Sequence, residues 1–248
     1  MPQTSPYVIE DIALFAQIGP LRTWSVVVTV MGDLLRTPGQ GISGKELAAL
    51  VGALGISDQA LRVAVHRLKK DGWIESRREG RESKHFLTER ARRETEAVRG
   101  LIYDASSPDI GPVSLVVAPP NLAEPLAQRL PERRSAVLSA RSALVSGDLP
   151  DVDFLRTPVD TQALPGWVRD VLAPRSLRDE FTALRRAVIE ALERVPDSEA
   201  HRKALRLVIL HHWRRTVLRQ SPLAEALLGP DWEGAQTRQV VLHALKTL

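Results

Sequence analysis

Between Ser57 and Lys84 the chain sets out nitrogen donors at two regular spacings. Gln59, Arg62, His66, Arg67, Lys69 and Lys70 come first, with the apolar Val63 standing in the same DNA-binding row, and Arg77, Arg78, Arg81 and Lys84 follow. Guanidinium and ammonium groups pair with guanine O6 and N7, and a glutamine amide matches adenine, so the first set carries the chemistry of base-edge reading. The same cations neutralise phosphates, the contact that dominates affinity for a duplex and makes it salt-dependent. From Gln59 to Phe86 there are eight basic and four acidic residues, a surplus equal to the +4 of the whole chain. The basic excess is therefore concentrated in one segment, which points to double-stranded DNA as the partner.

The elements that would hold these donors are legible on either side of them. Ser43-Gly44-Lys45-Glu46 fits a capping box at a helix start. Leu47, Leu50, Val51 and Leu54 then recur at the spacing of one helical face. Gly55 suits the left-handed residue that ends a helix, and Ser57 follows at once as the cap of the next. That second helix is expected over 58–71. Leu61, Val65 and Leu68, with Ala60 and Ala64, form its inner face, and Gln59, Arg62, Val63, His66, Lys69 and Lys70 project outward. Gly72 ends it. Residues 73–78 and 83–87 read as a hairpin, with Glu79-Gly80-Arg81-Glu82 as its loop. Thr88 is placed to cap a further helix through Arg99. The whole is a helix-turn-helix followed by a basic wing, with Ser57 and the donors above as its DNA-binding residues. A solvated basic face, or a winged helix that binds protein, would leave the same pattern.

The totals set the frame. A chain of 248 residues with 44% hydrophobic and 26% charged residues is ordinary for a folded protein with a substantial core. It has no cysteine, so disulfides and thiolate chemistry are absent. No apolar stretch approaches a membrane span, and Met-Pro-Gln-Thr-Ser-Pro lacks the marks of a secretory signal, so a cytoplasmic protein is expected. There is no nucleophile elbow, no P-loop and no dinucleotide glycine pattern, so no catalytic residue is assigned. Asp148, Asp151 and Asp153 lie in a Pro-Gly loop and read as turn residues. His211 and His212 are adjacent and point apart, and His201 has no ligand partner in metal spacing, so neither metal nor cofactor is expected.

The C-terminal third reads as helical. Ser176-Leu177-Arg178-Asp179 fits another capping box, and Leu177, Phe181, Leu184, Val188, Leu192 and Val195 form a long apolar stripe. A second helix is expected over 198–219, with Leu205, Val208, Ile209, His212 and Trp213 on one side. Between the two ends lies a proline-rich segment with β-branched runs at 113–118 and 136–145.

Leu61 through Ile74, followed by Ser76-Arg77-Arg78-Glu79-Gly80-Arg81-Glu82-Ser83, resembles the DNA-binding region of the PaaX family, repressors of phenylacetate degradation and related catabolic pathways. Val28 to Asp33 is similar to that family's first helix, and Trp213-Arg214-Arg215, Leu223, Leu227-Leu228, Pro230-Asp231-Trp232 and Gly234 resemble its tail. The resemblance implies an α+β chain in three parts: a winged helix-turn-helix over 1–99, a ferredoxin-like domain over 100–173 and a helical domain over 174–248. It implies a homodimer on a palindromic operator, released by a small-molecule effector of the acyl-CoA thioester class such as phenylacetyl-CoA. Trp167, Arg169, Trp213, Arg214 and Arg215 combine cations with aromatic surface and are the candidate effector contacts. The middle segment departs from the family pattern at 108–120, which lacks the expected tryptophans, and at 130–150.

Overall fold

The structure is a computed structural model, and it describes residues 12–80, 82–105, 110–149, 153–195 and 198–248. The chain divides into two compact units. One comprises residues up to 103 with 183–215 and 240–248, the other residues 104–182 with 216–239. Residues 174–248, expected as one helical domain, thus contribute to both.

The first unit is built on helix α1 (Thr23–Leu34). Val26, Val27, Val30 and Met31 are buried on it, because apolar residues cover a wide arc. Ser25, Thr29 and Asp33 are also buried, and they stand four residues apart, one above another on a single face. Strand β1 (Gly41–Ser43) leads into helix α2 (Gly44–Gly52), where the Ser43 hydroxyl accepts from the Glu46 amide at 3.1 Å. Helix α3 (Asp58–Lys70) follows a short turn, capped by Ser57, whose hydroxyl accepts from the Ala60 amide at 3.2 Å. Gly55 sits at φ +77° in that turn, a backbone state that a side chain would strain. Both caps and the turn lie where the sequence places them.

Strands β2 (Ile74–Glu79) and β3 (Glu82–Leu87) form the expected hairpin. Its register pairs Ile74 with Leu87 and Glu79 with Glu82, so the loop is two residues long. Strand β1 adds to the far side of β3, giving the order β1-β3-β2. This third strand leaves no signal in the sequence, since three residues cannot show a period of two. Thr88 caps helix α4 (Glu89–Tyr103), which runs four residues past the expected end at Arg99.

In the second unit four antiparallel strands, β4 (Val113–Val117), β5 (Ser135–Val137), β6 (Ser142–Ser146) and β7 (Leu155–Pro158), lie in the order β5-β6-β4-β7. The run expected at 136–145 is two strands joined by a turn, in which Ser139 and Ser142 bond through their hydroxyls at 2.7 Å. Between β4 and β5 lies a one-turn helix, α5 (Leu126–Arg129). Val116, Ala118, Leu126, Leu130, Ala143 and Val145 close a core over the sheet. Helix α6 (Gly166–Leu172) precedes α7 (Arg175–Leu192). Helix α7 starts one residue before Ser176, after Pro174, so Ser176 lies in its first turn and does not cap it. The Pro174 carbonyl accepts from the Leu177 and Arg178 amides at 2.9 and 3.1 Å, so the helix starts from that residue instead.

Three helices complete the chain: α8 (Glu199–Val217), α9 (Pro222–Leu228) and α10 (Glu233–Thr247). Within the second unit, Arg238 on α10 holds Glu225 on α9 through three bonds of 2.6–2.8 Å, with both side chains buried. Such a fork-to-fork pair fixes geometry as well as charge.

The first unit depends on residues of α8 for the polar face of α1. Arg206 pairs with Asp33 at 2.5 Å, His211 Nδ1 lies 3.2 Å from the Thr29 hydroxyl, and Arg214 donates to the hydroxyls of Thr29 and Ser25 at 3.0 Å each. Partner numbers fall on α8 as they rise on α1, so the helices run antiparallel. Trp213 donates its indole N–H to the carbonyl of Ile102 on α4 at 2.8 Å. Burial raises the Asp33 carboxyl, but the bonds and charge of Arg206, the Tyr103 hydroxyl and Arg36 outweigh it and hold the carboxyl below its ordinary value.

Burial pushes His211 down to about 3 and His212 to about 4, so both are neutral at pH 7. A folded-state value below the unfolded one means the unfolded chain binds more protons, so stability falls with pH once it drops below about 6.5. At pH 5 each histidine should cost about 2 kcal/mol. Urea unfolding should therefore show a clear loss of stability from pH 7 to pH 5. His212→Phe, which keeps the ring beside Phe15, should shrink that loss. A flat profile over this range would contradict the burial of both rings.

Candidate nucleic-acid interface

Helix α3 divides sharply by face. Leu61, Ala64 and Leu68 are buried, Val65 is half-buried, and Gln59, Arg62, Val63, His66, Arg67, Lys69 and Lys70 are exposed. The buried set faces α1 and α2, both of which pack on α3. The inner face is thus fixed while the donors stand in solvent. The N-terminal turn begins with Asp58 and the last turn carries Arg67, Lys69 and Lys70, which complements the helix dipole at both ends.

The cations are not equivalent. Arg67 stacks its guanidinium over the Trp24 ring at 5.6 Å and pairs with Asp71 at 3.6 Å. It leans along the α1 side of the helix, and its contact with Trp24, more than forty residues earlier, has no local signature. Arg62, Lys69 and Lys70 make no ion pair among the described residues. On the hairpin, Arg77 pairs with Glu75 at 2.7 Å and lies over Phe86 at 4.9 Å, and Lys84 reaches Glu79 at 3.5 Å. Arg78 is exposed, and no carboxylate among the described residues holds it. Arg81 lies outside the described residues. Gly80 supplies the φ of +64° that lets this short loop turn.

Behind the hairpin, His85 is buried and its Nδ1 lies 2.8 Å from the Ser76 hydroxyl on the facing strand. Burial, then the charge of Lys69, holds His85 below its ordinary value. This cross-strand contact ties β2 to β3 and follows only from the register, which a linear reading does not supply.

The five candidate effector residues are shared between the two units. Trp167 and Arg169 are on α6 in the second unit, and Trp167 is 58% exposed. Trp213, Arg214 and Arg215 are on α8 in the first unit. Trp213 is fully buried, so its ring offers no face to solvent. Arg214 is spent on Ser25 and Thr29, and burial among these neutral oxygens lowers its pKa. Arg215 donates to the carbonyl of Pro20 at 3.3 Å. Trp213, Arg214 and Arg215 thus each have a partner within the first unit.

Among the described residues no group of three or more His, Asp or Glu side chains could hold a metal ion. Asp148 is exposed and 4.0 Å from Arg156, and Asp151 lies outside the described residues. No described helix is long and apolar enough to cross a membrane.

A family model described as PaaX-like protein matches residues 22–91, and one described as PaaX-like protein C-terminal domain matches residues 173–248. The transcriptional repressor PaaX of Escherichia coli (strain K12) is 26% identical over 251 residues, covering 90% of this chain and 79% of that protein. An uncharacterized protein, Rv0674 from Mycobacterium tuberculosis, has a solved structure that covers 88% of this chain and 92% of its own, at 18% identity and a TM-score of 0.47. The first matched segment holds α1, both helices of the turn and the whole hairpin, and the second holds α7 to α10. On these matches at both ends, the chain belongs to the PaaX-like family.

Proposed function

We propose that this protein is a transcriptional repressor that binds a DNA operator through a winged helix-turn-helix made of α2, α3 and the β2–β3 hairpin. One observation carries the reading: α3 is anchored along one face and presents a row of exposed residues, all but Val63 polar, on the other, with a basic hairpin directly after it. A helix held in this way fits the major groove, and the hairpin is placed for the backbone or the minor groove. The relative in Escherichia coli is a transcriptional repressor, a regulator and not an enzyme.

The second unit supports a ferredoxin-like reading through its strand order and its antiparallel pairing, with a single one-turn helix between β4 and β5. The repressor would act as a homodimer, since an operator with two-fold symmetry calls for a protein with the same symmetry. Residues 174–248 are the proposed dimer contact. An acyl-CoA thioester, such as phenylacetyl-CoA, is the proposed effector. It would have to bind the free protein better than the operator complex, because a ligand blind to that difference shifts nothing. Trp167 and Arg169 are the best placed of its proposed contacts, being an exposed ring and cation on one helix.

Replacing Arg62 with Ala should weaken operator binding by about 1–3 kcal/mol if the guanidinium makes a bidentate base contact. Replacing Arg78 with Ala should weaken binding to every duplex and lower the salt slope by about 1. Unchanged affinity in both variants, measured by fluorescence anisotropy across a salt series, would overturn the DNA-binding reading.

Assembly and release are tested on the same material. Sedimentation should give twice the chain mass of 27.4 kDa at micromolar concentration. A monomer mass there would refute the dimer. Among acyl-CoA thioesters and their free acids, a thioester should displace the operator. Release by a free acid alone would refute the effector class and leave DNA binding standing.

A further inference from the structure

Val63 is 65% exposed, more than any other large apolar side chain described in the first unit. Every other outward position of α3 is polar: Gln59, Arg62, His66, Arg67, Lys69 and Lys70. A valine in that row gains nothing from water and, being β-branched, lowers helix propensity. Its position is central. Gln59 precedes it by four residues and His66 follows by three, so the three share one line along the helix. It also lies in the N-terminal half of α3, the part of such a helix that meets base edges in the groove. The basic residues Lys69 and Lys70 lie toward the other end, where phosphates are the natural partners.

The major-groove edge of one base alone offers an apolar group, the C5 methyl of thymine. Adenine beside it offers N6 and N7 to a glutamine amide. We infer that Val63 is a specificity-determining residue that packs on a thymine methyl while Gln59 pairs with a neighbouring adenine. This rests on the DNA-binding reading above and adds what that surface selects. Valine suits the task because in a helix it holds essentially one rotamer, so its methyls stay where the backbone puts them. Arg62 and His66 flank it on the exposed face, so a thymine methyl in the groove would give it an apolar contact that water does not.

The test begins with duplexes selected from a random library by the full-length protein. Each thymine of the selected site is then replaced, one at a time, by deoxyuridine, which removes only the methyl. The wild-type protein should lose about 3–5-fold in affinity at one position per half-site, the effect of one methyl no longer buried. Val63→Ala should bind the unmodified site more weakly by a similar factor and should no longer distinguish thymine from deoxyuridine there. Val63→Thr, which keeps one methyl, should retain part of the distinction. Because Val63 is exposed, each variant should keep the helical circular dichroism of the parent. If the protein selects a site yet tolerates deoxyuridine everywhere, the inference fails and the DNA-binding reading survives. If Val63→Ala keeps the full deoxyuridine penalty, another side chain reads the methyl and the inference fails. If no duplex is bound at any salt concentration, both fail together.

Discussion

The seam between α1 and α8 is the contact on which the arrangement of the first unit depends. Ser25, Thr29 and Asp33 are polar side chains buried along one line of α1; the Thr29 hydroxyl donates to the Ser25 carbonyl within the helix, and further bonds to all three come from outside it. Asp33 is the costliest of them, because a carboxylate out of water needs a positive partner and further bonds. Arg206 supplies the charge and Tyr103 adds a hydroxyl at 2.7 Å. Removing one partner would strand the other, which costs far more than a good pair contributes. The seam therefore specifies how α8 lies along α1 more than it adds stability. Its long arginine and histidine side chains also allow a polar register that two apolar faces would not impose.

That constraint reaches the DNA-reading face through α1 itself. The same helix that bonds to α8 along its polar line packs α2 and α3 elsewhere on its surface. The inner face of α3 is pinned by this platform, and only then does its outer row of donors have a defined direction. Residues far along the chain thus belong to the body that carries the turn. Residues 183–215, which include the α8 side of this seam, join the N-terminal segment in one compact unit, as do 240–248.

What was legible in the sequence follows from how local its cause is. The caps at Ser43 and Ser57, the turn at Gly55, the two faces of α3 and the hairpin all rest on interactions within a few residues, and each has its own signature. Strand β1 depends on pairing with β3 some forty residues away and leaves no such mark. Ser176 satisfied the letters of a capping box, yet Pro174 starts the helix earlier. Trp213 and Arg214 set an aromatic ring beside a cation, chemistry that suits a ligand as well as a fold. In the fold they meet Ile102, Ser25 and Thr29, partners more than a hundred residues distant. Residue type announced the bonding capacity in each case, and only tertiary structure decided who used it.

The central claim is that α3 and the β2–β3 hairpin form the surface that meets DNA. Hydrogen exchange, followed by mass spectrometry with and without a bound duplex, tests this directly, because backbone amides covered or stiffened by the duplex slow their exchange. The account predicts slowed exchange in peptides spanning 57–70 and 74–87, weakening as salt is raised. Unchanged exchange in both segments, with protection confined to other parts of the chain, would contradict it.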